Sequence, residues 1–332
     1  MTSTRIGRAA GLAFVGTLAL GACGGQSSTD TTSTSTSGSG SGSGSGSSSA
    51  ALTGSIITDG SSTVGPLASA AAELFMEENS GVNVTVGVSG TGGGFKKFCA
   101  GQTAISNASR PIKDEEIALC KTNGIEYQEI IVANDALTVV TNKDNAFLTC
   151  LTTGELKTLW EPAATDKVKT WNQVNASFPT EPIKLYGPGT DSGTFDYFTG
   201  AITGEEGASR SDYSSSEDDN VIVQGVSGEA NALGYFGYTY FEENADKLKA
   251  VEIDNGSGCV APSSDAARDG SYAPLSRPLY IYVDKKSWAK PEVKGFVTYF
   301  VTNDASIAEA AKFIALSEEQ KAKATSEIAA LG

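Results

Sequence analysis

The sequence predicts an α/β protein of two domains with largely parallel sheets. About 280 residues follow Leu52, which is more than one hydrophobic core usually organises. Short apolar runs bounded by turn residues alternate with segments in which apolar residues have helical spacing. This alternation is typical of parallel sheets covered by helices. No internal repeat is visible.

The predicted strands and helices follow from the period of the apolar residues. Val82, Val84, Val86 and Val88 alternate with small or polar residues, as in a half-buried strand. Four further strands are predicted from apolar runs: Ile130–Val132, Leu137–Val140, Ile183–Tyr186 and Leu279–Val283. Two sets have helical spacing: Leu67, Ala71, Leu74 and Phe75, then Phe296, Tyr299, Phe300, Ile307, Ala311 and Ile314.

The first 22 residues are typical of a secretory signal. Arg5 and Arg8 give a positive start, and Gly11–Leu20 is an apolar run of about ten residues, too short to span a bilayer. Leu20–Cys23 resembles a bacterial lipobox, in which the cysteine is lipidated and becomes the mature N-terminus. An ordinary secretory peptide is the alternative. We expect an extracytoplasmic protein, at the cell surface or in the periplasm, attached to the membrane only through a lipid on Cys23.

Residues 23–51 predict a flexible tether. From Gly24 to Ala51 the chain is almost entirely Ser, Thr and Gly, with little apolar surface to bury. A flexible coil of this length has a root-mean-square reach of roughly 30 Å.

Four cysteines remain after Cys23, at positions 99, 120, 150 and 259. An even number outside the cytoplasm predicts two disulfides. Of the three possible connectivities we favour Cys99–Cys120 with Cys150–Cys259, because each pair then lies within one predicted domain. A four-cysteine metal site is the alternative, but no CxxC spacing supports it.

Net charge and composition exclude several classes of function. Without the signal the chain has 22 basic and 39 acidic residues, a net charge of −17, which argues against nucleic acid and anionic lipid as partners. It has no histidine, so Ser-His-Asp catalysis and most zinc sites are excluded. We expect no enzyme, cofactor or metal.

Three loops rich in glycine and hydroxyl residues each lie where a predicted strand meets a predicted helix. They are Asp59–Pro66, Ser89–Gly94 and Gly187–Thr194. Unpaired N–H groups and the helix dipole at such junctions attract anions, glycine allows close approach, and hydroxyls add donors. One such loop alone is more often a capped turn. Three of them favour an oxyanion cradle in the crevice beyond the strand ends.

An anion site also needs a cation. Arg110, within Ser106–Ile112, is the best candidate because its planar fork can hold two oxygens. A surface arginine paired with an acid is the alternative. Arg210 is a weaker second choice.

The three loops and Ser106–Ile112, in this order, resemble the phosphate-binding protein (PstS) family of ABC-type phosphate importers. The resemblance continues through Leu156–Trp160, Trp171–Val174 and Val226–Tyr238. It implies a two-lobed periplasmic-binding-protein fold of type II that closes on phosphate, each lobe a mostly parallel sheet flanked by helices. Lobe I would comprise residues 52–140 and 275–332, and lobe II residues 141–274.

The resemblance also implies ligand residues and partners. The phosphate-binding residues carried over are Ser62, Thr63, Val64, Ser89, Gly90, Arg110, Asp191, Ser192, Gly193 and Thr194. The implied partners are inorganic phosphate and the membrane permease and ATPase subunits of an importer, for a monomeric receptor.

Two positions depart from the family pattern. Arg110 stands where the best-known members have an aspartate that accepts a hydrogen from protonated phosphate, and Pro188 stands where they have an arginine. We therefore predict that Arg110 supplies the charge and that Asp191 or Asp59 supplies the acceptor.

Other functions remain open at this point. The same fold could bind sulfate, molybdate or another tetrahedral oxyanion. A secreted phosphate-ester hydrolase would use Ser192 or Ser89 as its nucleophile. A surface adhesin or a phosphate sensor would suit the tether equally.

Overall fold

The computed structural model describes residues 51–332. The predicted signal 1–22, the lipidated Cys23 and the tether up to residue 50 lie outside the described residues. The strands are β1 Gly54–Gly60, β2 Val82–Val88, β3 Ile105–Ala108, β4 Tyr127–Asn142, β5 Cys150–Thr152, β6 Lys184–Gly187, β7 Ser214–Ser215, β8 Ala232–Gly237, β9 Leu248–Ala250, β10 Glu252–Asp254, β11 Cys259–Val260 and β12 Ser276–Asp284.

Helices alternate with these strands, as the sequence predicts. They are α1 Val64–Glu78, α2 Thr91–Cys99, α3 Asp114–Thr122, α4 Thr153–Trp160, α5 Gly193–Ile202, α6 Asp219–Gly228, α7 Tyr238–Glu243, α8 Ser264–Asp269, α9 Lys285–Trp288, α10 Pro291–Thr302, α11 Asp304–Ala311 and α12 Glu318–Ala329. The predicted spacing from Phe296 to Ile314 spans two helices. Ile314 itself lies beyond α11 and forms a bridge with Asn134.

The main sheet has the strand order β2-β1-β3-β12-β4-β8-β6-β7, and β9 also pairs with β4. Strands β2, β1 and β3 are parallel at one side, and β8, β6 and β7 are parallel at the other. The centre is antiparallel, because β12 runs against both β3 and β4, and β4 runs against β8. The predicted α/β class is confirmed, although antiparallel pairs join the two parallel parts, add β9 to β4, and join β10 to β11 in a separate small sheet.

Strand β4 connects the two sides of the sheet. The sequence predicts two strands here, Ile130–Val132 and Leu137–Val140, but the chain forms one strand of 16 residues. Its first part, up to Ala136, pairs with β12, and the part from Leu137 pairs with β8. The intervening polar residues Asn134 and Asp135 are buried within the strand.

Two large groups of buried side chains lie on either side of this connection. The first group contains residues of β1, α1, the start of β4 up to Ala133, and the chain from Leu279 to the end. The second contains residues from Leu137 to Leu275. We call these groups the first and second core. The assignment of residues 52–140 and 275–332 to one lobe and 141–274 to the other stays a prediction.

Both predicted disulfides are present with the predicted pairing. Cys99–Cys120 joins the end of α2 to α3. Cys150–Cys259 joins β5 to β11 in a separate three-stranded sheet, across 109 residues of chain. The second bond constrains the unfolded chain more, because it closes the longer loop.

No helix within residues 51–332 combines the length and the apolarity that crossing a bilayer requires.

Candidate anion-binding site

The three loops of the sequence analysis approach a single cavity of about 590 Å³. Helix α1 follows the first loop, α2 the second and α5 the third. The cavity is lined by Ser61, Ser62, Thr63, Ser89, Gly90, Thr91, Gly92, Gly93, Ser109, Arg110, Lys113, Gly193, Asp196, Tyr197, Glu205, Glu206 and Arg277. The lining combines hydroxyl groups, glycine backbone and charges of both signs.

The first loop turns sharply because it passes close to β3. Gly60 has a φ of 155°, and a Cβ there would lie 2.0 Å from the carbonyl oxygen of Asn107, so only glycine fits. The N–H of Ser61 then donates to that same oxygen at 2.9 Å. The Ser61 hydroxyl accepts from the N–H groups of Thr63 and Val64, at 3.2 and 3.4 Å. The loop thus holds the start of α1 at the cavity wall.

The second loop presents the N-terminus of α2. Gly90 has a φ of 77°, a left-handed conformation that favours glycine, and no side chain caps the helix. The first amides of α2 therefore lie at the cavity wall with no side-chain acceptor. Ser89 is held by Asp59, whose carboxylate accepts its hydroxyl and forms an ion pair with Lys97 at 2.6 Å. Asp59 is buried and is not part of the cavity lining.

The third loop meets the first. A Cβ on Gly193 would lie 3.1 Å from Oγ1 and 3.2 Å from the backbone N of Thr63. The two loops are therefore in contact, although they belong to helices of different cores. Ser192 caps α5, because its Oγ accepts from the N–H of Thr194 at 3.2 Å.

The cavity brings together some of the predicted ligand residues and not others. Six of them line it: Ser62, Thr63, Ser89, Gly90, Arg110 and Gly193. Four lie outside the lining: Val64, Asp191, Ser192 and Thr194. The Val64 side chain is fully buried, so only its backbone could reach a ligand, and Asp191 is exposed to solvent. Which of the ten contact an anion stays a prediction.

Arg110 lines the cavity, but its charge is already paired. Its Nη1 and Nη2 donate to the two oxygens of Glu116 at 2.9 and 2.8 Å. The Glu116 carboxylate also accepts a hydrogen bond from the backbone N–H of Lys113 at 2.9 Å, and this hydrogen bond caps α3. Burial raises the pKa of the Glu116 carboxyl, but the hydrogen bonds from Arg110 and Lys113 outweigh it, so this pKa lies below its usual value. Arg110 and Glu116 form a closed, nearly neutral pair.

A second arginine, Arg277 on β12, also lines the cavity and was not predicted from the sequence. Its Nη2 donates to the Thr63 hydroxyl at 2.9 Å. The same guanidinium contacts only one oxygen of Asp135, at 3.2 and 3.3 Å. Burial raises the pKa of the Asp135 carboxyl, and the charge and hydrogen bonds of Arg277 offset this only in part. A signal was available, because Asp135 interrupts an apolar strand and a buried charge needs a partner.

The acidic side chains of the cavity are also not those predicted. Neither Asp59 nor Asp191 lines it, whereas Asp196, Glu205 and Glu206 do. Asp196 lies in the first turn of α5. Burial and the charge of Glu206 raise the pKa of the Asp196 carboxyl, while the charge of Arg277 lowers it. Asp196 thus lies in the cavity wall, where the two predicted acceptors do not.

Comparison with known proteins identifies the family of the chain. Residues 29–304 match the PBP superfamily domain. Protein SphX of Synechococcus elongatus is 47% identical over 81% of this chain and 80% of its own length. The phosphate-binding protein PstS of Staphylococcus saprophyticus is 42% identical over 94% of this chain and 90% of its own. The chain belongs to the PstS family. The solved structure of a possible phosphate binding protein from Planctomyces limnophilus is 45% identical. The match covers 84% of this chain and 99% of that one, with a TM-score of 0.80.

Two further observations describe this PstS-family chain. Within residues 51–332 no group of three His, Cys, Asp or Glu side chains could hold a metal ion. Arg210, the second choice for the cation, is buried away from the cavity. It pairs with Asp212 at 2.6 Å and donates to the carbonyl oxygens of Leu159 and Val168. Its hydrogen bonds stabilise the second core.

Proposed function

We propose that this protein binds inorganic phosphate outside the cytoplasmic membrane and delivers it to an ABC-type phosphate importer. One observation carries the proposal: loops before α1, α2 and α5 meet at a single cavity, with Thr63, Ser89 and Gly193 in its wall. Amides and hydroxyls at helix N-termini stabilise an oxyanion. The PstS relative named above is a phosphate-binding protein.

The local charges suit a hydrogen phosphate ion. Arg110, Lys113 and Arg277 line the cavity and oppose the negative charge of the whole chain. Asp196 would accept the hydrogen of a protonated phosphate oxygen. Fully deprotonated sulfate has no hydrogen to give, so the carboxylate would face it unpaired. Leaving such an acceptor unpaired costs about 1–3 kcal/mol, roughly five- to 150-fold in affinity.

Isothermal titration of the purified protein with phosphate and with sulfate tests the proposal. We expect one phosphate per chain and sulfate binding at least about fivefold weaker. Gly193→Val should weaken phosphate binding, because its side chain would enter the contact with Thr63. Thr325→Val, on the exposed face of α12, is the control and should leave binding unchanged. A protein that binds no phosphate contradicts the function, and equal affinity for sulfate contradicts the role of Asp196.

We infer that the protein is a receptor and not a hydrolase. The two candidate nucleophiles are engaged otherwise: the Ser89 hydroxyl donates to Asp59, and Ser192 caps α5. We expect no turnover of a chromogenic phosphate ester under conditions in which phosphate binds. Sustained release of the chromophore would favour the hydrolase.

The remaining assignments complete the proposal. The separation of the first and second cores supports two lobes, residues 52–140 with 275–332 and residues 141–274.

A lipid on Cys23 would hold this monomeric receptor at the membrane, beside the permease and ATPase subunits. Cys23→Ser should release the protein from the membrane fraction. Loss of phosphate uptake on gene deletion would favour transport, and normal uptake with altered phosphate response would favour a sensor.

A further inference from the structure

Arg277 occupies an unusual position in the fold. It lies on β12 between Leu275, which belongs to the second core, and Leu279, which belongs to the first. Its partner Asp135 is directly opposite on β4, again between the two cores. Arg277 therefore lies where the chain passes from one core to the other.

The contacts of Arg277 extend to both cores. Its Nη2 donates to Thr63, which precedes α1 of the first core. Its guanidinium carbon lies 3.5 Å from the ring centroid of Tyr197 on α5, which packs against the second core. The Tyr197 ring is fixed in turn, because its hydroxyl donates to the carbonyl oxygen of Pro274 at 2.8 Å. One side chain thus contacts the first loop and the helix that follows the third loop.

The guanidinium also retains capacity to bind an anion. Its Nε and Nη2 share a single oxygen of Asp135, whereas Arg110 uses both terminal nitrogens on the two oxygens of Glu116. Within the described part of the chain, the Nη1 of Arg277 makes no hydrogen bond. A guanidinium has five N–H donors. The two on Nη1 of Arg277 are therefore available to an anion, whereas the Nη1 of Arg110 donates to both Glu116 and the carbonyl oxygen of Pro111.

We propose that Arg277 is the principal counter-charge for the bound anion and that it couples anion binding to the contact between the first loop and α5. This deepens the proposed function and rests on it. An anion held by Arg277 would lie beside Thr63, and its charge would strengthen the arrangement that brings Thr63 and Tyr197 together. Arg277 is thus both a binding residue and a positioning residue for the two loops.

The first experiment measures phosphate affinity by isothermal titration for Arg277→Gln and Arg277→Lys. Loss of a charged hydrogen bond corresponds to roughly a 10- to 100-fold weaker affinity, which we expect for Arg277→Gln. Arg277→Lys keeps the charge but loses the planar fork and the stacking on Tyr197, so we expect an intermediate affinity. The control is Arg268→Gln. Arg268 is also partly buried, but it pairs with Asp265 outside the cavity, and its loss should change affinity less than about twofold.

The second experiment measures coupling. Spin labels at two exposed residues, Leu119 on α3 and Val221 on α6, report the distance between the two sides of the sheet. In the otherwise unaltered protein, saturating phosphate should shorten the mean distance between the two labels or narrow the distribution of distances. In Arg277→Lys, saturated with phosphate, the change should be smaller. A purely structural arginine would give the same change once the site is full.

The results separate the proposal from the function on which it rests. Wild-type phosphate affinity in Arg277→Gln overturns the counter-charge, and an unaltered distance change in saturated Arg277→Lys overturns the coupling. Failure of the unaltered protein to bind phosphate overturns the proposed function instead. Thr63→Val covers the case in which Arg277→Gln does not fold, because it removes the hydrogen bond to Arg277 and leaves the Arg277–Asp135 pair intact. We expect it to reduce the distance change, and a full change overturns the coupling.

Discussion

Two arginine–carboxylate pairs reach the same cavity, and they are built differently. Arg110 grips both oxygens of Glu116, and the pKa of this carboxyl is lowered. Arg277 contacts one oxygen of Asp135, and the pKa of that carboxyl is raised. The first pair satisfies its own charges. The second leaves a partly buried guanidinium paired with a single carboxylate oxygen and in contact with a hydroxyl of the first loop.

An arginine in a binding cavity is therefore not by itself a ligand residue. Its remaining donors and the strength of its existing partner decide what it can do. The contribution of a buried ion pair depends on geometry and on the other hydrogen bonds of both groups. By this criterion the Arg110–Glu116 pair stabilises the start of α3, and the Arg277–Asp135 pair leaves guanidinium donors available to bind an anion.

The largest expected effect concerns stability. Asp135→Leu leaves Arg277 largely buried without a counter-charge, and breaking a buried pair in this way costs about 3–5 kcal/mol. Glu116→Leu leaves Arg110, whose side chain is 31% exposed, partly hydrated, so we expect a loss of about 1–2 kcal/mol from the pair and the cap of α3. Urea unfolding of the phosphate-free protein at pH 7 measures both. Equal losses would contradict the distinction between the pairs.

A smaller effect is expected on phosphate affinity. Because Arg110 is already paired, Arg110→Gln should weaken binding less than about fivefold, well below the loss expected for Arg277→Gln. Glu116→Gln removes the opposing charge of Arg110 and should strengthen binding about two- to fivefold at low salt. Titration calorimetry at two salt concentrations checks both changes. If Arg110→Gln costs as much as Arg277→Gln, the sequence-based choice of Arg110 as the cation was correct.

The smallest effect is a difference in pH dependence. The folded pKa of Glu116 is below its usual value of 4.5, so its ionised form contributes stability above that pH and loses it as the pH falls. The folded pKa of Asp135 is above its usual value of 3.8, so its ionisation destabilises the fold as the pH rises through this range.

Urea unfolding between pH 3 and 7 therefore gives opposite trends. The stability of the unaltered protein relative to Glu116→Gln should increase with pH, and relative to Asp135→Asn it should decrease. Parallel trends would show that the two pairs titrate alike. Thr325→Val serves again as a reference without a titrating group.

Much of the site could be predicted from local sequence. A strand, a loop of glycine and hydroxyl residues, and a helix follow one another within a few residues. This local order predicts the loops at Thr63, Ser89 and Gly193, and the structure places these three residues in the wall of one cavity. The disulfide pairing followed from the predicted domains. These inferences depend on short-range patterns, which a single sequence contains.

The rest depends on contacts between distant segments. Arg277 and Thr63 are 214 residues apart, and no local pattern near Arg277 indicates a ligand. The pairing of Arg110 is a local exception. Three consecutive acidic residues, Asp114–Glu116, follow it closely, and the turn of α3 decides that Glu116 is its partner. Asp196 falls inside the predicted helix after the third loop, where a carboxylate is usually taken as solvated.

The pairing of strand β4 limits how the chain can be divided into separately expressed fragments. Its first part completes the pairing of β12 and its second part completes that of β8, while the first core draws on both chain ends. A fragment ending at residue 133 would lose β12 and the last helices. One covering 141–274 would expose the edge of β8 that β4 normally covers, and such unpaired edges promote aggregation. Soluble expression therefore requires the chain from β1 to α12 as one piece, or a circular permutant that keeps β4 whole.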